Sequence, residues 1–193
     1  MRLQAQVGLS LPDWIHAQVD TDGAYPGDEA KVALAIELSR LNIEARSGGP
    51  FGAVVFDAGD DRIVSVGVNR VLPQHCSVAH AETMACMLAQ QRLQRARLNR
   101  DLDDNVVGRY VLATSSQPCC QCYGATVWAG IDRLLIGARS EDVEALTEFD
   151  EGPLPADWVG ELERRGIEVV RDLHRDAARE VLRRYGQSDA RSY

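Results

Sequence analysis

The chain has 193 residues, 45% of them hydrophobic, which is enough to bury one substantial core. Its formal net charge is −8, so its average field repels polyanions, and a small neutral ligand suits it better than a nucleic acid. Residues 1–11 lack a basic region followed by a long apolar run, and no stretch is long enough to span a bilayer. We therefore expect a cytoplasmic protein with a single domain over residues 1–193 and no membrane partner.

Hydrophobic periodicity and turn residues predict helices that alternate with strands along most of the chain. The predicted helices cover residues 27–46, 80–97, 119–129, 141–146 and 173–185. The predicted strands cover residues 53–56, 63–69, 106–114, 131–138 and 166–170. The first two strands flank a short acidic turn that contains glycine, as in a β-hairpin. This order predicts an α/β fold of three layers, α/β/α, with a five-stranded mixed sheet covered by helices on both faces.

Three segments need separate predictions. Residues 1–26 fit the pattern least and are predicted to be a variable N-terminal extension, in which Trp14 and Ile15 dock on the core. Two prolines and a glycine within residues 153–160 predict a loop. Residues 174–193 form the predicted C-terminal helix and tail.

The five cysteines are Cys76, Cys86, Cys119, Cys120 and Cys122. Their number is odd and three of them lie within four positions, which does not suit a disulfide framework. Metal binding in a reducing compartment is the better explanation. Cys76 is predicted to be a loop thiol, and Cys86 and Cys120 are predicted to pack as small apolar side chains.

Two short segments carry side chains suited to binding a metal, namely His80-Ala81-Glu82 and Pro118-Cys119-Cys120-Gln121-Cys122. Cysteines three positions apart share one helix face, so Cys119 and Cys122 can bind the same ion while Cys120 points elsewhere. Both thiols belong to a predicted helix N-terminus, where free N–H groups favour the thiolate. With His80 they provide three protein ligands, which leaves a tetrahedral Zn²⁺ one open position, as in catalytic zinc sites.

Simpler explanations exist for each of these residues. Two cysteines at this spacing also occur in half of a structural zinc site or in a redox pair, and a lone histidine is often a surface residue. His75 is an alternative ligand, but no glutamate follows it two positions later. Glu82 can stabilise the first turn of a helix, yet beside an open zinc position it is also placed to take up and return protons. The combination favours a catalytic zinc, with Glu82 as the proton carrier.

These motifs occur in a characteristic order, which is Pro50-Phe51-Gly52-Ala53-Val54-Val55, Asn69, His80-Ala81-Glu82 and Pro118-Cys119-x-x-Cys122. Because it has these motifs in this order, the chain resembles the cytidine-deaminase-like superfamily of zinc-dependent aminohydrolases. The resemblance extends from about residue 27 to the C-terminus. Within the superfamily it is most similar to bacterial guanine deaminases, including relatives that also act on triazines such as ammeline. The segments Gly124-Ala125-Thr126-Val127-Trp128-Ala129 and Phe149-Asp150-Glu151 support that choice.

The resemblance implies roles for five further residues. Glu151 stands where the family has an aspartate that binds the guanine edge and assists proton transfer. Asn69 matches an asparagine that hydrogen-bonds the base, and Phe51 and Trp128 are predicted to pack near it. Tyr193 matches a C-terminal tyrosine that closes the active site, often from the neighbouring subunit of a domain-swapped dimer. As alternatives, Glu151 lies in a solvated acidic loop, Asn69 is a turn residue, and the two aromatic residues belong to the core.

The resemblance implies a zinc-dependent homodimer that hydrolyses guanine to xanthine and ammonia, and that also accepts aminated triazines. In this hypothesis Glu82 carries protons, and Asn69 and Glu151 orient the ring. A tRNA adenosine deaminase and a cytosine- or cytidine-type deaminase share the zinc motif, although the acidic net charge argues against tRNA as a partner. Outside the enzymes, the alternative is a non-catalytic binding module in which zinc only supports the fold. The presence of Glu82 argues against that alternative.

Overall fold

The computed structural model describes residues 3–189 and has a mixed sheet between two layers of helices. The helices are α1 (Ile15–Gln18), α2 (Asp28–Glu44), α3 (Val71–Gln74), α4 (Ala81–Leu93), α5 (Cys120–Ala129), α6 (Ser140–Leu146), α7 (Trp158–Glu163) and α8 (Arg175–Gly186). The strands are β1 (Gly52–Asp57), β2 (Ile63–Val68), β3 (Tyr110–Ser116), β4 (Arg133–Ala138) and β5 (Glu168–Val170). The predicted α/β/α fold with five strands is confirmed.

The strand order in the sheet is β2-β1-β3-β4-β5. β1 runs antiparallel to both β2 and β3, whereas β3, β4 and β5 are parallel to one another. The start of β1 therefore lies beside the ends of β2 and β3, with Gly52 paired to Val68 and Ala53 paired to Thr114. This arrangement brings the residues that precede β1 and those that follow β2 and β3 to one edge of the sheet.

Both faces of the sheet are covered, which explains why its central strands are almost continuous apolar runs rather than alternating ones. On one face, α2 and α8 pack over side chains that include Val54, Phe56 and Leu135. On the other face, α4 packs over side chains that include Val55 and Leu112. α4, on this second face, begins directly after the predicted ligand His80.

The N-terminal extension docks on the core as predicted. Ile15 is 2% exposed, and the indole N–H of Trp14 donates a hydrogen bond to Ser47 Oγ at 2.9 Å. Within residues 3–189, no helix combines the length and the apolar character needed to cross a membrane. The last four residues, 190–193, lie outside the described part of the chain.

Three predicted boundaries are wrong. The strand predicted over 106–114 begins only at Tyr110, because Val106 lies on an exposed loop and pairs with Arg100 through an isolated bridge. The loop predicted over 153–160 contains the start of α7, which is capped by the Asp157 side chain accepting from Gly160 N. The helix predicted to reach residue 97 stops at Leu93, where the next residue adopts a left-handed backbone conformation.

β2 and α4 approach each other closely at Gly67. A Cβ atom at this position would lie 2.0 Å from the Ala81 carbonyl oxygen and 2.6 Å from the Ala85 nitrogen. Beside this contact, the Ser65 hydroxyl donates to the Ala85 carbonyl at 2.6 Å. The strand thus holds the first turn of α4, which carries Glu82, through main-chain contact.

Gly67→Ala should lower the free energy of unfolding by about 1–3 kcal/mol or more, because the methyl group would force α4 away from β2. Urea denaturation of the purified protein measures this change. The control is Gly124→Ala in α5, where a Cβ atom has nothing within 4 Å. That change should leave stability unaltered or raise it by about 0.5–1 kcal/mol. Equal losses in the two variants would contradict the proposed close contact.

Candidate zinc centre

Three metal-binding side chains converge where α4 and α5 begin. His80 directly precedes α4, Cys119 directly precedes α5, and Cys122 lies in the first turn of α5. His80 Nδ1 is 3.4 Å from Cys119 Sγ and 3.6 Å from Cys122 Sγ, and all three donor atoms lie within 4.8 Å of one another. Zinc bonds to imidazole nitrogen and thiolate sulfur are about 2.0 Å and 2.3 Å long, so one ion can contact all three atoms. These residues are positioned to bind a metal, and their donors suit zinc.

Cys119 is prepared for metal binding by its neighbours. Hydrogen bonding from the Cys122 thiol, and then from His80, lowers the pKa of Cys119 to about 4 in spite of its burial. Its thiolate is therefore present at neutral pH, and thiolates are the form in which cysteine binds metals. Among residues 3–189, no further His, Cys, Asp or Glu side chain joins this cluster. A zinc ion held by these three side chains would have a position left for a reactant.

Glu82 lies beside the cluster without belonging to it. Its carboxylate oxygens lie 3.4 Å from Cys122 Sγ and 3.4 Å from Thr114 Oγ1. The residue is 6% exposed, and burial, followed by the negative charge of Cys119, raises the pKa of Glu82 to about 7. A carboxyl group with a pKa near 7 can both accept and release protons at neutral pH.

A cavity of about 280 Å³ opens beside these residues. Its walls include six residues that the sequence predicted to be functional, namely Phe51, Asn69, His80, Glu82, Cys119 and Glu151. Ser77 and Gln117 also line it and were not predicted, although Gln117 directly precedes the Pro118-Cys119 motif. Within the described part of the chain, no lysine or arginine lines this cavity. The cavity is therefore suited to a neutral ring and poorly suited to a phosphate group.

Asn69 is held rigidly at the edge of the sheet. Its side-chain oxygen accepts from the main-chain nitrogens of Gly49 at 3.4 Å and Val71 at 3.3 Å. Its own main-chain carbonyl accepts from Asn42 Nδ2 at 3.0 Å, and the residue is 1% exposed. The bond from Val71 N closes a turn directly after β2, so Asn69 is a turn residue and also lines the cavity.

Glu151 is buried rather than solvated. It is 7% exposed, and its main-chain carbonyl accepts a hydrogen bond from Cys120 N at 3.0 Å. Burial, followed by the negative charges of Cys119 and Glu82, raises the pKa of Glu151 to about 9. The alternative of an acid in a solvated loop is therefore wrong.

The structure does not bring every predicted residue to the cavity. The Trp128 side chain is 80% exposed at the end of α5 and lines a separate cavity, so the prediction that it packs near the ring is wrong for this chain. Cys120 is exposed rather than packed, while Cys86 is buried as predicted. His75 follows α3 and is not part of the metal-binding cluster. The prediction for Tyr193 falls outside the described residues.

An imidazole, two thiols and a nearby buried carboxyl group define the class of catalytic zinc sites. Comparison with known protein families identifies which kind of catalytic zinc site this is. Residues 27–138 match the family model of the cytidine and deoxycytidylate deaminase zinc-binding region. The chain belongs to this family. It is accordingly a zinc-dependent hydrolytic deaminase.

Individual relatives are similar over most of the chain. A probable cytosine deaminase from Schizosaccharomyces pombe is 33% identical over 78% of this chain and 88% of its own length. A solved guanine deaminase from Nitrosomonas europaea is 39% identical, covers 97% of this chain and 100% of its own, and has a TM-score of 0.88. A further solved structure, of a mutant protein in complex with 8-azaguanine, is 40% identical over 95% of this chain and 99% of its own, with a TM-score of 0.87.

Cys119→Ser and Cys122→Ser should each lose most of the bound zinc, because each removes one of three ligands. Cys120→Ser is the matched control, since its exposed thiol lies between the two ligands in sequence and outside the cluster. Elemental analysis after dialysis against a chelator measures the zinc content, which should stay near one ion per chain in the control. Loss of zinc from Cys120→Ser, or its full retention by Cys122→Ser, would contradict this ligand set.

Proposed function

We propose that this deaminase hydrolyses guanine to xanthine and ammonia. The observation that carries the proposal is Glu151, a second buried carboxyl group on the wall of the cavity that contains Glu82. Guanine presents its N1–H and its reacting 2-amino group on the same edge, and a carboxylate can accept hydrogen bonds from both. Adenine and cytosine instead present a ring acceptor next to the reacting amine. An acidic acceptor at residue 151 therefore favours guanine.

The ionisation of Glu151 fits this role once the metal site is filled. Part of its raised pKa comes from the negative charges of Cys119 and Glu82. A divalent cation on the thiolates offsets those charges, which favours the ionised form of Glu151. Burial continues to raise the pKa, so Glu151 remains able to exchange a proton with the ring.

Glu82 is the residue that moves protons at the reacting carbon. When bound, zinc activates water as a nucleophile by lowering its pKa to about 7. Glu82 lies beside the metal ligands, with Cys122 Sγ at 3.4 Å from its carboxylate, and takes one proton from the attacking water, which it gives to the ring nitrogen next to C2. It then takes the proton of the new hydroxyl group on C2 and gives it to the amine, which leaves as ammonia. Glu82 itself lines the cavity, so its carboxylate can reach a bound ring.

Asn69 and the aromatic residues orient the ring. Asn69 lines the cavity, and its amide carries both a donor and an acceptor, which suits the edge of a purine. Phe51 and Phe149 form an edge-to-face pair with ring centres 5.2 Å apart and line the same cavity. Ammeline also places an amino group beside ring nitrogens, and we include aminated triazines among the proposed substrates.

Ammonia release should be observed with guanine in a panel that also contains guanosine, adenine, cytosine, cytidine and ammeline. Glu82→Gln should lower kcat by about 10²- to 10⁴-fold, because general acid–base catalysis contributes that much. Glu151→Gln should lower kcat/KM by about 10- to 100-fold, since hydrogen bonds to charged groups are worth about 1.5–3 kcal/mol. Glu148→Gln, an exposed acid of the same segment, is the control and should be unaffected. Consumption of cytosine with guanine left intact would overturn the proposal.

We also propose that the protein is a homodimer, supported by the surface of α5. The sequence of this helix, Cys120–Ala129, contains no charged residue, yet Cys120 and Trp128 are exposed. Trp128 is 80% exposed on this uncharged helix, and symmetric pairing with a second copy would bury its ring. The resemblance also implies exchange of the C-terminal segment, residues 174–193, between subunits. Of this segment, α8 packs against α2, α6 and β4 of its own chain, and residues 190–193 lie outside the described part.

Trp128→Arg should shift the protein from dimer to monomer, because it places a charge on the apolar surface of α5. Sedimentation velocity at several protein concentrations measures the shift. Leu102→Arg is the matched control, since Leu102 is 100% exposed on the loop between α4 and β3. A monomeric wild-type protein, or an unchanged dimer in Trp128→Arg, would contradict the use of this surface.

A further inference from the structure

The main chain at Glu151 and Gly152 rests directly on the first residue of α5. The Glu151 carbonyl accepts from Cys120 N at 3.0 Å, and so pairs one of the N–H groups that a helix N-terminus leaves without an internal partner. Gly152 has a φ of +67°, and a Cβ atom there would lie 2.6 Å from Cys120 Sγ. A side chain at residue 152 would therefore strain the backbone and require either the Cys120 side chain or the Glu151–Gly152 segment to move.

The same segment is also held from its other side. The Asp150 carboxylate accepts from Gly152 N at 2.8 Å, which closes a tight turn around Glu151. The Phe149 ring packs against Phe51 and stacks on Tyr185, with ring centres 5.2 Å and 5.7 Å apart. Glu151 thus lies between the packed ring of Phe149 and its own main-chain hydrogen bond to α5.

We propose that Gly152 is a positioning residue for the deamination reaction, acting through its contact with Cys120. Because no side chain separates the two, the Glu151 carbonyl can reach the start of α5, and the carboxyl group of Glu151 is set at a fixed place relative to Cys119 and Cys122. The exposed Cys120 is thereby part of the support for Glu151 and not a metal ligand. This inference rests on the role proposed above for Glu151.

Gly152→Ala should retain zinc and lower kcat/KM on the order of tenfold or more, because a misplacement of about 1 Å can cost about 10²-fold. The matched control is Gly166→Ala, since Gly166 has a φ of +79° but nothing within 4 Å of a Cβ atom. It introduces the same kind of backbone strain away from the site, so it should lower the thermal midpoint yet leave kcat/KM within about twofold. Gly152→Ala with kcat/KM within about twofold of wild type would overturn the inference.

Replacing Cys120 by alanine removes Sγ and should relieve its clash with a Cβ atom at residue 152. In Cys120→Ala/Gly152→Ala, the nearest atom to the new Cβ is the Cβ of residue 120 at 3.4 Å, an ordinary distance. We expect kcat/KM within about twofold of Cys120→Ala alone, since the double variant restores the approach of the two segments. This measurement also decides the matter if Gly152→Ala does not fold. A loss that persists at about tenfold in the double variant overturns a role for the Cys120 contact.

A second readout separates this inference from the proposed function. In a Glu151→Gln background, Gly152→Ala should change kcat/KM by less than about twofold, because Gly152 acts through Glu151. The substrate is whichever base of the panel the wild-type protein consumes. If Glu151→Gln alone leaves turnover intact, the proposed role of Glu151 fails. If Glu151→Gln is impaired and Gly152→Ala lowers activity by the same factor in both backgrounds, only the positioning role fails.

Discussion

The site depends on two helix beginnings that meet at one edge of the sheet. α4 brings His80 and Glu82 and packs closely on β2 at Gly67, and α5 brings Cys119 and Cys122 and donates from Cys120 N to the Glu151 carbonyl. The Cys119 thiolate lies near two buried carboxyl groups, and burial together with its charge raises the pKa of both Glu82 and Glu151. A divalent cation on the imidazole and thiols would offset the thiolate charge. Metal binding therefore affects the ionisation of both carboxyl groups, and through Glu151 the proposed choice of substrate.

The two acids of the cavity show how position decides chemistry. Glu82 has a pKa near 7, which suits a group that takes and returns protons during each turnover. Glu151 has a pKa near 9 without metal, so its charge depends more strongly on what fills the site. Their different surroundings, one beside Cys122 and Thr114 and the other on a turn against Cys120, separate their proposed roles.

Much of this could be predicted from the sequence, because the signals were local. Continuous apolar strands between amphipathic segments predicted the layered fold, and the helical spacing of Cys119 and Cys122 predicted a shared ligand face. The short helices α3 and α7 were missed, since helices of one or two turns depend on packing rather than on propensity. Trp128 was misplaced because resemblance gives a position in sequence but not the helix face. The burial of Glu151 follows from a main-chain contact with Cys120, which no local pattern encodes.

His80, Cys119 and Cys122 should bind one zinc ion through one nitrogen and two sulfurs and leave its fourth position to water. X-ray absorption at the zinc edge of the purified protein measures this ligand set. We predict two sulfur neighbours at about 2.3 Å and two nitrogen or oxygen neighbours at about 2.0–2.1 Å. A spectrum with three or four sulfur neighbours, or with none, would show that a different set of side chains binds the ion.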